Sequence, residues 1–152
     1  MKKYMIDTNI INRILDHGLD LKYFKSPDKQ IFTTHVQRDE IINTKNKTRR
    51  NELLSIFQKV ENPIPTESAL WGRSRWGESK WASDNQVGKI LEVLNKKDKK
   101  NKNKSNPLDA LIADTAIKNN YILITEDGPL YYVVTEVFKG SAQNLDDFLN
   151  SP

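Results

Sequence analysis

Residues 107–127, PLDALIADTAIKNNYILITED, constrain the fold more than any other stretch, because they read as one helix running directly into one buried strand. Pro107 suits a first helical position, where its missing N–H would have no partner anyway, and Asn106 is a good N-cap before it. Leu108, Leu111, Ile112, Thr115 and Ala116 recur at helical spacing and form a core-facing stripe. Asn119-Asn120 can end the helix, since Asn tolerates the left-handed conformation. Tyr121-Ile122-Leu123-Ile124 is then a short apolar run of the kind found in strands covered on both faces, and Thr125–Pro129 closes it as a polar turn. Strand and helix signals alternate elsewhere too, which predicts an α/β fold with a mainly parallel sheet.

Two carboxylates occupy informative places in this stretch. Asp109 falls in the first turn of the helix, at the edge of the apolar stripe when each residue advances about 100°. Asp127 falls just past the carboxyl end of the strand, where open α/β sheets place their sites. Asp114 projects toward the other edge of the stripe and is expected to be a solvated helix acid. Near the amino end, KYMIDTNIIN (residues 3–12) reads as a strand ending in Asp7 and passing at once into a helix that Thr8 or Asn9 can cap. A further short strand is expected near Gln30–Thr33, followed by a helix carrying Asp39 and Glu40. Its periodicity is not clean, because Val36, Ile41 and Ile42 share no narrow face, so these two acids are rivals on residue pattern alone. Several acids at strand tops and helix starts are what a metal site for phosphodiester chemistry requires. Mg²⁺ and Mn²⁺ are hard ions that prefer carboxylate oxygen and retain waters for a substrate.

MIDTNI, a helix with Glu40-Ile41, DALIADTA and LITED, in that order, resemble the PIN-domain nucleases, most similarly the VapC-type ribonuclease toxins. The resemblance runs from Met1 to about Asp127, apart from a middle insert. It implies a three-layer α/β/α domain and a metal-dependent endoribonuclease whose Mg²⁺ or Mn²⁺ is held by Asp7, Glu40, Asp109 and Asp127. It favours Glu40 over Asp39, since the family pattern sets the acid directly before an aliphatic pair, here Ile41-Ile42. Asn9 and Thr125 fall where the family keeps small polar residues that support the site. The likeness also implies an RNA substrate, a small antitoxin partner and a homodimer.

At 152 residues the chain is expected to form a single PIN-like domain, 1–152, with a Trp- and Lys-rich insert at about 62–105. There is no cysteine, hence no disulfide and no thiolate metal site. Without an apolar leader or a run near the ~18 residues that span a bilayer, a soluble cytoplasmic protein with no membrane contact is expected. The net charge of +4 is local: residues 95–105 hold six lysines and one aspartate, a local +5, and leave the remainder at −1. That run is either an arm drawing RNA phosphates toward the acids, with Lys97, Lys99 and Lys100 as contacts, or a solvated linker. Trp71, Trp76 and Trp81 recur every five residues, interleaved with Arg73, Arg75 and Lys80. Successive tryptophans would diverge by about 140° on a helix, so they cannot share one face. Trp76 with Arg73 and Arg75 can stack on and neutralise a single strand, or the tryptophans can fill core gaps or an interface.

Residues 46–60 and 86–95 read as further helices, 129–138 is ambiguous between helix and strand, and 144–149 is a short terminal helix with Asp146 and Asp147 in its first turn. His17 and His35 lie in no metal-ligand spacing, and a structural role is expected for both. Two other functions fit the same residues. One is an RNA-binding PIN-like module that does not cut. The other is a different Mg²⁺-dependent phosphoryl-transfer enzyme, although an aspartyl phosphatase would want a second Asp where this chain has Asn9.

Overall fold

The computed structural model describes residues 1–68, 85–97 and 106–152. Four strands, β1 (Lys2–Ile6), β2 (Lys29–Phe32), β3 (Ile122–Ile124) and β4 (Ser141–Gln143), form an all-parallel sheet in the order β2-β1-β3-β4. Among the described residues, seven α-helices accompany it: α1 (Thr8–His17), α2 (His35–Ile42), α3 (Lys47–Val60), α4 (Gln86–Lys97), α5 (Asn106–Lys118), α6 (Gly128–Tyr132) and α7 (Leu145–Asn150). The expected α/β/α architecture with a parallel sheet is the one observed.

The pleat explains the layering. Successive side chains on a strand point to opposite faces. Tyr4 and Ile6 of β1, with Ile31 and Ile124, pack beneath α1, α3 and α7, among Ile10, Ile14, Leu53, Phe57 and Phe148. Met5, between them, joins Phe32 and Leu123 on the opposite face, under α4, α5 and α6. Helix α2 contributes Val36 to one cluster and Ile41 to the other. Two separate cores sharing one sheet account for the unclean periodicity of α2.

Local chemistry sets the helix ends. The side chain of Asp7 caps α1, in place of the expected Thr8 or Asn9, because a residue at φ −78°, ψ 154° just after a strand already has the cap geometry. Gly18 ends α1 at φ 59°, a left-handed conformation that costs glycine nothing. A capping box starts α2, where the Thr34 hydroxyl accepts from the Val36 N–H (3.1 Å) and the Gln37 carboxamide oxygen accepts from the Thr34 N–H (2.9 Å). Asn46 caps α3 and Asn144 caps α7. Helix α5 includes Asn106 instead of starting after it, and β3 begins at Ile122, one residue later than the apolar run suggested. Asn120 is left-handed at φ 57°, as the helix stop requires. The ambiguous stretch after Asp127 is helical: α6 runs into a π-helical turn at Val133–Val137.

Asp114 overturns its sequence reading. It is fully buried, accepting from the Ser68 hydroxyl (2.6 Å) and the Gln86 carboxamide (3.0 Å), with the Lys118 ammonium 3.3 Å away. A buried carboxylate persists only when hydrogen-bonded and charge-compensated, and here two of its partners come from the middle of the chain. Glu67 and Thr115 add to the same seam, the Glu67 N–H donating to the Thr115 hydroxyl at 3.1 Å. The expected inward face of α4 is present, with Val87, Ile90 and Leu94 buried and Leu91 packed beside them. Among the described residues no helix is long and apolar enough to cross a membrane. Trp71, Trp76, Trp81, Arg73, Arg75, Lys99 and Lys100 lie outside the described residues.

Candidate active site

Parallel strands put all their carboxyl ends on one edge, and the chain places polar turns there. Asp7 follows β1 and Thr125 follows β3. The Asp7 N–H donates to the Ile124 carbonyl at 3.0 Å, so the two strand ends are laced together where the acids emerge. Two residues on, Asp127 caps α6, accepting from the Leu130 N–H at 3.0 Å. Asp109 enters from the first turn of α5, where the helix dipole favours negative charge. Glu40 enters from α2. Asp7, Glu40, Asp109 and Asp127 line one cavity of about 200 Å³, together with Thr8, Asn9 and Asn12. Asp39 does not line it; its carboxylate lies 3.8 Å from the Arg38 guanidinium.

Two threonines organise these acids. The Thr125 hydroxyl donates to Asp7 Oδ2 at 2.7 Å and accepts from the Asp127 N–H at 3.0 Å, so one side chain fixes two carboxylate-bearing residues. Thr8 does the same on the other side: its N–H donates to Asp7 Oδ1 at 2.7 Å and its hydroxyl to Glu40 Oε1 at 3.0 Å. From the sequence alone Thr8 reads only as a helix cap. Its role needs Glu40, 32 positions away, so only adjacency to Asp7 hinted at it. Asn12 is another lining residue that the sequence pattern does not mark; it donates to the Thr8 carbonyl at 3.2 Å and accepts from Arg49 at 2.8 Å. Asn9 lines the cavity and accepts from the Glu126 N–H at 3.4 Å.

Electrostatically the cluster is under tension. Burial pushes the Asp7 carboxyl up to about 6; hydrogen bonds from Thr125 and Thr8 work against that rise, and repulsion from Asp127 adds to it. Glu40 is pushed up to about 7, by burial first and then by the Asp7 charge, with the Thr8 hydroxyl opposing. In both groups burial, helped by repulsion between the acids, outweighs the hydrogen bonds that favour the charged form. Replacing Thr125 with Val should therefore cost about 2 kcal/mol, by stranding Asp7 and the Asp127 N–H, and should raise the Asp7 pKa further. Urea unfolding at pH 8 and a carboxyl NMR titration, both in EDTA, check this; an unchanged Asp7 titration would show that the hydroxyl does not hold the charge.

A larger cavity, about 350 Å³, lies at the start of α2 among Thr34, His35, Arg38, Phe57, Glu61 and Pro63–Pro65. It has no convergent carboxylates, and we place the candidate chemistry at the smaller one for that reason. His35 is buried there, with neither ring nitrogen hydrogen-bonded. Lys97 is not at the acidic cavity; its ammonium sits 3.6 Å from the centroid of the Tyr132 ring.

No protein-family model matches this sequence, and no curated protein does. Solved structures do. The structure of VapBC2 from Rickettsia felis bound to a DNA fragment from their promoter aligns over 93% of this chain and 98% of its own, at 18% identity and a TM-score of 0.53. VapBC-1 from nontypeable Haemophilus influenzae aligns over 93% and 97%, at 17% identity and a TM-score of 0.52. At such identity the likeness concerns the path of the backbone and leaves the side chains to be argued on their own. The chain has a PIN-like α/β/α fold, shared along nearly its whole length with chains of these two VapBC structures.

Proposed function

We propose that this protein is a divalent-metal-dependent endoribonuclease of the PIN type, with residues 1–152 as one domain and about 62–105 as its insert. The observation that carries the reading is the convergence of Asp7, Glu40, Asp109 and Asp127, from four separate elements, on one cavity at the carboxyl edge of a parallel sheet. The donor set is all oxygen and strongly anionic, which fits Mg²⁺ or Mn²⁺. Among the described residues no three His, Cys, Asp or Glu side chains are grouped so that they could hold a metal ion by themselves. Mg²⁺ is commonly held by one or two carboxylates and its own waters, with substrate phosphate completing the shell.

A bound divalent ion would supply an acidified water and neutralise charge developing on the phosphate oxygens. The protein's own groups do the positioning. Asp7 is locked by one donor on each oxygen, and each oxygen keeps a lone pair directed elsewhere. Glu40, at about 7, can hold a proton on its carboxyl until its charge is balanced, then release it. Asp127 and Asp109 add charge from two helix starts, where the backbone dipole tempers their repulsion. Asn9 and Thr125 hold the turn that carries Asp127.

The two fold neighbours are VapBC assemblies, and one is bound to promoter DNA. That supports reading this chain as the toxin of a toxin–antitoxin pair, restrained by a small antitoxin; an RNA substrate and a homodimer are further parts of the proposal. Cleavage of a mixed pool of single-stranded and structured RNA, in Mg²⁺, Mn²⁺ or EDTA, tests the activity against Asp109→Asn. We expect metal-dependent cleavage that falls at least 100-fold in the variant, in the range lost when a preorganised electrostatic group is removed. Intact RNA with folded wild type in every metal would end the nuclease reading.

A further inference from the structure

Helix α6 starts at Asp127, one of the four cavity acids, and ends with two adjacent tyrosines left open to solvent. Tyr131 is 39% exposed and Tyr132 41%. The intervening Leu130 is fully buried and its N–H is tied to Asp127, so the helix that carries both rings is anchored at the acid. The Tyr131 N–H donates to the Asp127 carbonyl at 3.0 Å, which places this ring one turn, about 5.4 Å, along the axis from Asp127 and on its side of the helix. Helical side chains lean toward the amino end of their helix, which for Tyr131 is the end that Asp127 caps.

Tyr132 is turned by about 100° and faces α4. There the Lys97 ammonium lies over its ring at 3.6 Å, in the last turn of α4 beside Lys96. Helix α6, which starts at a cavity acid, therefore carries two partly exposed rings, and a cation lies over one of them. This combination matches a polynucleotide: bases have π-faces for the rings and phosphates for the lysine. A protein partner would need a broader apolar surface than two rings splayed by 100° provide.

We infer that Tyr131 and the Lys97–Tyr132 pair form a stacking platform for unpaired bases of a single-stranded RNA, next to the acidic cavity. The inference rests on the ribonuclease reading and narrows its substrate to unstacked strands. The splayed rings receive two different bases and do not clamp one. Tyr131 takes the base nearest the cavity, and Tyr132 takes one farther along, with Lys97 drawing in its phosphate. Tyr131 and Tyr132 are positioning residues and take no part in bond breaking.

The test is fluorescence anisotropy with a labelled single-stranded oligoribonucleotide, in the Asp109→Asn background with Mg²⁺ so that the strand stays intact. Tyr131→Ala should weaken binding about tenfold, and Tyr131→Phe should restore it to within about twofold, because the ring and not the hydroxyl stacks. An abasic strand of the same length should bind both proteins equally. A structural role alone would not distinguish base from abasic strand. Equal affinity of Tyr131→Ala and its parent for the normal strand overturns the inference. So does a change of mass by light scattering with RNA affinity intact, which would make the face a contact between protein chains. If the wild type binds the strand with this tyrosine dependence but never cuts RNA in any metal, the platform stands and the nuclease reading falls. If it cuts RNA and Tyr131→Ala binds and cuts equally well, the reverse holds.

Discussion

Asp7→Asn is expected to stabilise the metal-free protein at pH 8 by about 2–3 kcal/mol while abolishing its stabilisation by Mg²⁺. The Asp7 carboxyl stands at about 6 in the folded chain against 3.8 for the free group, and Glu40 at about 7 against 4.5. A carboxyl raised on folding contributes its full stability when protonated, below the unfolded value, and withdraws it as pH rises through the folded value. In EDTA, wild type should therefore lose stability between about pH 4 and pH 7, with each displaced carboxyl contributing about 3 kcal/mol. The combined loss is smaller than the sum, because the repulsion between Asp7 and Glu40 is shared. Asn at position 7 removes the charge that burial and Asp127 oppose, and an amide oxygen can still cap α1. Millimolar Mg²⁺ should raise the melting temperature of wild type at pH 8 and leave the variant unmoved. Thermal melts at pH 5 and pH 8, with EDTA or Mg²⁺, check both parts. A wild-type melting temperature indifferent to Mg²⁺, or a variant less stable than wild type in EDTA at pH 8, would remove the electrostatic account of the cluster.

Asp114→Ala should cost about 3 kcal/mol, the range expected when one partner of a buried, hydrogen-bonded charge is removed. The substitution removes the acceptor of the Ser68 hydroxyl and the Gln86 carboxamide and the carboxylate facing the mostly buried Lys118 side chain. The two neutral donors precede and follow residues 69–85, so this one carboxylate fastens both ends of that segment to α5. Denaturant midpoints measure the loss, and Asp114→Asn, which keeps an acceptor but not the charge, should fall between the two. A change below about 0.5 kcal/mol for Asp114→Ala would mean that the seam is water-filled in solution and contributes nothing.

How much of this was legible depended on whether a residue's environment is set by its near neighbours. Asp7 and Asp127 could be placed because a short apolar run ending in an acid and a turn already fixes a strand top, and Asp109 because a helix start fixes the first turn. The parallel architecture followed from the same local alternation. Asp39 and Glu40 could not be separated by pattern, since α2 feeds residues into two cores and has no single apolar face. Asp114 looked solvated because nothing within a helical turn except Lys118 could compensate it; its other partners lie 46 and 28 positions away. Thr8 was illegible as an organiser of Glu40 for the same reason. Strand β4, only Ser141–Gln143, has no apolar alternation to announce it and exists through pairing with β3.

The acidic cavity draws on residues from position 7 to position 127, and the turn after β3, which carries the last of them, is seated by β4 and by the Leu145 N–H donating to Glu126 at 2.8 Å. β1 forms the centre of the sheet, yet one of its neighbours in that sheet is β3, from near the other end of the chain. Such long-range parallel pairing is slow and waits for distant sequence. During synthesis, which proceeds from the amino end, Asp7 and Glu40 emerge long before Asp109 and Asp127. A ribosome making this protein therefore holds an incomplete cluster until Asp127 has been made. The site proposed for RNA cleavage is in this way unassembled while Asp109 and Asp127 are still to be made.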